Sequence, residues 1–553
     1  MKKKKHQHKS TLPLRIIPLG GLGEVGKNML ILEYGDDILV IDAGIMFPEN
    51  DMLGIDYIIP DFQYLNDKAQ KVRGIIITHG HEDHTGAICH LLELVQAPIY
   101  GTPLTIGLVE EKLNRNKLLD KAVLNVIHAG DSFQVGVFYI ETFHVCHSIP
   151  DGLGLGITTP EGLIVHSGDY KFDHTPVDNL PTDYAKLGEL SGRGVLALLA
   201  DSTNAEKPGW TPSEKVIDPA FEHVFRKAKG RVIVATFASL ISRMQQVVHA
   251  ASKTHRKVAF VGTTMIDNVK MARKLGYLEL PDNIEVSLDQ ALSLSPEKTV
   301  IMCTGSQGEP SSILGRLSSG NNVRFGVQPG DTVVISSHPI PGNEEIIYRT
   351  INRLLARGAD VVYAGIEPVH VSGHASQEEM KLLLRLLKPK YLIPIHGELR
   401  QLYRHAQLAE EMGMKKDHIA VAENGQVIEF LNGKMAIKER IPGGYVFVDG
   451  YGVGDIDIGV VREREQLARD GMVLVHLALN RYNGGLKQPI QVITRGFIHE
   501  RDVEDFSQSL TAYLAENIPP LTTNVEETIR QNLRSFIFRQ TKRRPEIFVI
   551  IDD

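Results

Sequence analysis

Short apolar runs closed by glycine or aspartate fill the first 200 residues: LRIIPLGG, MLILEYG, DILVIDAG, GIIITHG, GLIVHSGD and VLALLADS. Each predicts a strand that ends in a turn. TGAICHLLELV and PLTIGLVEEKLNRNKLL have apolar positions at helical spacing and predict helices between them. From about residue 209 the pattern changes to regular alternation. SEKVIDPAFEHVFRKAKG, LISRMQQVVHAASKTHRK and TMIDNVKMARKLGY read as helices; RVIVATFAS, VAFVG, TVIMCTG and TVVISS read as strands. Alternating βα units imply a largely parallel sheet. After VHVSGHASQ follow a helix, EEMKLLLRLLK, and a strand, YLIPIHG. The Gly-rich passage IPGGYVFVDGYGVGDIDIG reads as a connector. Beyond it, MVLVHLAL, VEDFSQSLTAYLAEN and EIFVIIDD predict a small separate α/β domain.

Composition narrows this picture only slightly. With 553 residues the chain has room for three or four domains' worth of core. Its net charge of −7 argues against a wholly basic surface but leaves room for a local basic channel. The sequence does not locate such a channel, and Arg243 and Lys171 are no more than guesses at its cations. Three cysteines without CxxC spacing build no disulfide framework, which fits a reducing, cytoplasmic setting. The start, MKKKKHQHKS, predicts a disordered basic tail at residues 1–11, and no apolar run reaches the ~20 residues a membrane span needs.

GGLGEVGKN, residues 20–28, looks like a nucleotide-binding loop in two ways. Gly21, Gly23 and Gly26 make a GxGxxG, and Gly26-Lys27 resembles the end of a P-loop. Both mechanisms need a helix to follow, so that its N-terminus faces phosphate. Here MLILEYGDDILVIDAG follows, which reads as two strands, and Asn28 lacks the hydroxyl that would reach magnesium. A Gly-rich turn lining a cleft is the better reading.

HGHEDH, residues 79–84, places His79, His81, Asp83 and His84 in one loop at a strand end. Imidazole suits zinc and similar ions, and carboxylate completes such sites; manganese is also compatible with these ligands. Other candidates follow predicted strands: Asp42, His144, His147, His166, Asp169, Asp173 and His396. A hydrolytic site often pairs two ions about 3.5–4 Å apart across a shared carboxylate, and these residues suffice for two.

HGHEDH, then a His before SIPD, then SGD, then PIHGE resembles, in that order, the metallo-β-lactamase superfamily. The resemblance implies a four-layer αββα sandwich with two divalent metals at one edge of its sheets. It implies His79, His81 and His147 on one metal, Asp83, His84 and His396 on the other, Asp169 bridging, and Asp42 orienting the loop behind them. His144 and His166 do not match the motifs and read as packing or supporting residues. Cys146, next to His147, points the other way on an extended chain.

The βα block interrupts that pattern before His396 and resembles the β-CASP insertion of nucleic-acid-processing members. LLADSTNAE supplies Asp201 and VHVSGHASQEE supplies His374. PLGGLGEVGKN, DSTNAEKPG, CTGSQGEP, SGHASQEE and TKRRPEIFVIIDD extend the likeness to the bacterial ribonuclease J family over nearly the whole chain. The implied layout is a metallo-β-lactamase domain at residues 12–208 and 369–445, a β-CASP domain at 209–368, a linker at 446–460 and a C-terminal α/β domain at 461–553. The implied activity is hydrolysis of single-stranded RNA, 5′-to-3′ from monophosphorylated ends and also internally, in mRNA decay and rRNA maturation. His374, helped by Asp201, is the candidate general acid. Ser239, Ser372 and Gly373 are candidates for a 5′-phosphate pocket. The implied partners are further copies, as a homodimer or homotetramer, and other RNA-decay proteins such as a helicase. A small-molecule hydrolase would leave the insertion and His374 without a role; a DNA nuclease or an idle scaffold is disfavoured by the ribonuclease J motifs and the filled metal loop.

Overall fold

A computed structural model describes residues 12–340, 342–479, 486–518 and 524–552; the Lys-rich start lies outside them. The chain divides into two units, one of Met1–Phe47 and Tyr57–Val446, the other of Pro48–Asp56 and Phe447–Asp553.

The first unit contains two facing sheets. One has eight strands in the order Lys434–Arg440, Gln426–Leu431, Leu14–Gly20, Met29–Tyr34, Asp37–Ile41, Val72–Ile76, Ile99–Gly101 and Leu124–Val126. The other has six: Tyr391–Ile395, Val195–Asp201, Gly162–His166, Leu153–Thr159, Phe138–His144 and Ser132–Val135. Alternation along each strand divides its side chains between two faces. Leu14, Ile16, Leu30, Leu39 and Ile76 meet Phe138, Leu155, Ile164, Leu199 and Ile393 between the sheets. The opposite faces pack on helices: Ile17, Ile31 and Val40 on Ile88, Leu91 and Val109, and Val165, Leu198 and Leu392 on Leu187, Met380 and Leu383. Both faces of each sheet are thus buried, which is why the strands read as apolar runs rather than as strict alternation. The result is the expected αββα sandwich.

The insertion forms a five-stranded, all-parallel sheet in the order Lys257–Phe260, Thr299–Cys303, Val232–Ala235, Thr332–Ile335 and Asp360–Tyr363. Apolar clusters cover it on both faces. Between this block and His396 runs the helix Gln377–Leu387, started by a capping box in which Ser376 and Glu379 satisfy each other's backbone amides.

In the second unit, Met472–Ala478 pairs antiparallel with Gln491–Arg495 and parallel with Glu546–Asp552. Val473, Val475, Ile547 and Val549 bury against Leu510, Leu514, Leu533 and Ile537 of the helices Val503–Glu516 and Val525–Thr541. The Gly-rich passage before it holds a short hairpin that pairs Val448 with Val453. Among the described residues no helix is long and apolar enough to cross a membrane. The three cysteines are buried and free.

Candidate metal centre

The seven implied ligands all stand beyond the C-terminal ends of strands, so one edge of the sandwich collects them. His79 and His81 follow Val72–Ile76, and His81 precedes a single helical turn, Glu82–Thr85, that carries Asp83 and His84. His147 follows Phe138–His144, Asp169 follows Gly162–His166, and His396 follows Tyr391–Ile395. The turn into Asp169 needs glycine: Gly168 has φ +60, and a Cβ there would lie 2.3 Å from the Leu153 carbonyl oxygen. Asp42 and His396 themselves sit in the left-handed region, at φ +62 and +52, a strained placement that tends to mark functional positions.

Four overlapping groups of potential ligand atoms result, two of which match the implied metal sites. His79, His81 and His147 form one; Asp83, His84, Asp169 and His396 form the other. The His79 Nε2 and His147 Nε2 atoms each lie 3.1 Å from His81 Nδ1. Asp169 Oδ2 joins the groups: it is 3.2 Å from His84 Nε2, 3.5 Å from His396 Nε2 and 3.7 Å from both His79 Nε2 and His147 Nε2.

The second nitrogens of these rings are already engaged, which fixes the tautomers. His147 Nδ1 donates to the Gly373 carbonyl at 2.8 Å, and His84 Nδ1 donates to Asp42 Oδ2 at 2.8 Å. His396 Nδ1 lies 2.6 Å from Thr203 Oγ1, and His79 Nδ1 is 3.2 Å from Thr78 Oγ1. Asp42 in turn accepts from the Thr78 backbone and hydroxyl at 2.8 and 2.9 Å. The Nε2 lone pairs of His79, His84, His147 and His396 therefore converge with carboxylates on a shared space, and a divalent cation satisfies such a donor set where protein groups alone repel. The residues fit the metals that the sequence implies.

Burial pushes the imidazoles of His79 and His147 well below the usual range and that of His81 down to about 4, so these rings are neutral and ready to donate a lone pair. Burial opposes charge on the others too, but attraction overrides it. Asp169, Asp83 and Asp42 hold His84 well above its usual value, and Asp169, Asp83 and Asp201 raise His396 to about 9. His396 and His84 hold the buried Asp169 well below the carboxylate range. A cation at His396 must therefore displace a proton at neutral pH. Metal affinity is expected to rise with pH from neutral toward about 9, with protons released to buffer at pH 7.5. Calorimetric titration in buffers of different ionisation heat checks this; heats independent of buffer would refute it.

His374 stands beside this edge, 19% exposed, with Nδ1 donating to Asp201 Oδ2 at 2.8 Å and lying 4.0 Å from Asp169 Oδ2. Asp201 is fully buried and also accepts from the Thr203 amide and hydroxyl at 2.9 and 2.7 Å. Burial works against its charge, but His374 holds its carboxyl below the usual value.

The other candidates sort by their partners. Ser372 Oγ accepts from Asn204 Nδ2 at 2.8 Å, and Gly373 is required where it stands, because a Cβ would lie 2.6 Å from His147 Nδ1. Ser239 is half-buried on the loop after Val232–Ala235. His144 bonds the Pro181 carbonyl, and His166 Nδ1 accepts from the Gly168 amide, so both support the backbone. Cys146 turns away toward the Leu180 carbonyl, and Asp173 accepts from the amides of Thr175 and Glu214. Arg243 and Lys171 line no open channel: both are buried, Arg243 on Glu214 at 2.9 Å and Lys171 against the carbonyls of Pro212 and Ser372. Basic residue type alone does not separate a solvated phosphate contact from a buried, paired cation. Thr203, Thr78 and the Gly373 carbonyl were missed as orienting groups; each neighbours a motif residue, the one signal the sequence offered.

Fold and site together define a metallo-β-lactamase hydrolase with a β-CASP insertion. Family descriptions match accordingly: "Beta-lactamase superfamily domain" at residues 19–186, "Ribonuclease J, beta-CASP domain" at 229–354, "Zn-dependent metallo-hydrolase RNA specificity domain" at 360–421 and "Ribonuclease J C-terminal domain" at 459–553. The chain is similar to "Ribonuclease J2" of Bacillus subtilis, 42% identical over 98% of this chain and 99% of that one. It is 43% identical to "Ribonuclease J" of Synechocystis sp. over 88% of this chain and 76% of that one. A solved Enterococcus faecalis protein of unknown function shares the fold, with a TM-score of 0.54 at 14% identity over 75% of this chain and all of that one. The chain belongs to the ribonuclease J family.

Proposed function

We propose that this metal-dependent ribonuclease degrades RNA 5′ to 3′ from monophosphorylated ends, and also cuts internally, in mRNA decay and rRNA maturation. One observation supports the two-metal centre on which this reading rests: a single oxygen, Asp169 Oδ2, stands within 3.2–3.7 Å of four ring nitrogens drawn from the two implied metal sites. A carboxylate shared by two cations would occupy such a position.

Two divalent ions, zinc by the His-rich donor set or manganese, would supply Lewis acidity, activating water and offsetting charge on the phosphate. His79, His81 and His147 would hold one, Asp83, His84 and His396 the other, with Asp169 shared. Asp42, Thr203 and the Gly373 carbonyl orient the rings, so the donors are in place before a cation arrives. With Nδ1 committed to Asp201, His374 offers the proton on its other nitrogen to the departing 3′-oxygen. The released nucleotide keeps its 3′-hydroxyl, and the shortened strand keeps a 5′-phosphate. That product end is the one a pocket of Ser372, Gly373 and Ser239 would take next.

The domain boundaries at residues 208, 368 and 445 fit this division of labour, the β-CASP block closing over RNA laid on the metal edge. The C-terminal domain would serve assembly into a dimer or tetramer.

The test compares 5′-monophosphate RNA, 5′-triphosphate RNA and matched DNA, with and without chelator, for the wild type and His81→Ala. Chelator-sensitive cleavage of RNA, fastest on the monophosphate and lost in the variant, is expected. Cleavage that survives chelation or persists in His81→Ala would overturn the reading.

A further inference from the structure

The Gly-rich loop at residues 20–28 has no nucleotide role to explain it, because the strand Met29–Tyr34 follows it and no helix does. Its contacts supply another explanation. At one end, the Asn28 amide donates to the Asp83 carbonyl oxygen at 3.0 Å. The Asn28 side-chain Nδ2 reaches that same oxygen at 3.1 Å, Asp83 Oδ2 at 3.3 Å and His84 Nε2 at 3.1 Å. The Asn28 carbonyl accepts from the Gly44 amide at 3.0 Å, which ties in the loop after Asp42. At the other end, Gly21 and Leu22 grip the chain beside His396: the Gly397 amide donates to the Gly21 carbonyl at 3.1 Å, and Leu22 and Gly23 pair in parallel with Gly397 and Glu398.

One nine-residue loop thus touches Asp83 and His84 directly and His396 through its neighbour. These three residues and Asp169 form one of the potential ligand groups. The bonds of Asn28 and Gly21 go to this group and not to His79, His81 or His147.

The loop is braced for this role. Lys27 is fully buried and pairs with Glu24 at 2.9 Å; Glu24 accepts from Asn424 at 2.8 Å, and Asn424 accepts from the Leu22 amide at 3.1 Å. Glycine is needed at Gly21, where φ is +82 and a Cβ would lie 2.2 Å from Asn28 Oδ1. Asn28 itself is buried, so its amide has few alternatives to the Asp83 oxygens. An amide suits the position for an electrostatic reason. It donates to the carboxylate and fixes its rotamer without bringing a positive charge that would compete with a cation.

We infer that Asn28 is a positioning residue for the Asp83/His84/His396 half of the centre, and that the Gly-rich loop is the strap holding this half together. The inference rests on the two-metal reading above.

Metal-free wild type, Asn28→Ala and Asn28→Leu are titrated with Zn²⁺ against a chromophoric chelator, with His81→Ala as the mirror control. Wild type should bind two ions. The Asn28 variants should keep one site at wild-type affinity and weaken the other about 10–100-fold, the usual cost of losing a group that orients a ligand. His81→Ala should weaken the opposite site. In RNA cleavage the Asn28 variants should need more metal for half-maximal rate and recover kcat in excess metal, with KM for RNA unchanged. Melting of the metal-free proteins separates positioning from folding: the Asn28 variants should melt with the wild type. Two wild-type sites unchanged in both Asn28 variants would overturn the inference and leave the two-metal reading standing. Both sites weakened equally, together with a lowered melting temperature, would also overturn it. A wild type that binds a single ion would instead remove the two-metal reading on which it stands.

Discussion

Asp169→Asn is expected to lower RNA cleavage roughly 10³-fold, corresponding to about 4 kcal/mol of lost charge stabilisation. The substitution is nearly isosteric, so the turn at Gly168 and the buried packing around it should survive. What changes is the one oxygen that stands among the ring nitrogens of His79, His84, His147 and His396. An amide there has either an N–H aimed at lone pairs or an uncharged oxygen, and neither bridges two cations as a carboxylate does. The effect should extend to protons. Asp169 is the strongest attraction raising His396, so without it burial lowers the His396 pKa from about 9 and metal uptake at pH 7.5 releases fewer protons. Metal stoichiometry, buffer-dependent heats and cleavage rate are measured on one preparation. A variant that keeps two ions and cleaves within tenfold of wild type would sink the bridging role.

How much of this was legible follows from where each group lies in the chain. HGHEDH was readable because a strand end, a cap and one helical turn bring four donors together within six residues. His147, Asp169 and His396 come from three other strands of the second sheet, and only the order of their motifs, matched to a family, linked them. The buried strands of both sheets were legible as apolar runs. Helix Leu399–Glu411 was not, since its buried face includes Gln401 and His405, polar residues that break an apolar stripe. The short edge strand Leu124–Val126, largely unburied, carries almost no pattern either. The orienting groups were the least legible. Thr203, Gly373 and Asn28 act through hydrogen bonds that span 193, 226 and 55 residues, and no local spacing encodes such pairs. The Gly-rich loop was read correctly as a turn; the partner it turns toward, Gly397, could not be read at all.

His374→Ala is expected to reduce kcat on RNA by about 10²–10⁴-fold, the usual contribution of a positioned general acid. Two of the potential ligand groups include His374, so a metal-binding role is the alternative to be separated. Geometry favours the acid: Nδ1 lies 2.8 Å from Asp201 Oδ2 but 4.0 Å from Asp169 Oδ2, and the attraction of His374 lowers the carboxyl pKa of the buried Asp201. Two readouts then distinguish the roles. Ion stoichiometry should stay at the wild-type value in His374→Ala, and a lost ion would make the residue a ligand. A diester with a nitrophenolate leaving group departs without a proton, so wild type and His374→Ala should hydrolyse it at similar rates. Asp201→Ala should repeat the pattern in weaker form, because it frees the ring without removing it. If His374→Ala were as slow on the nitrophenyl diester as on RNA, His374 would not be supplying the leaving-group proton.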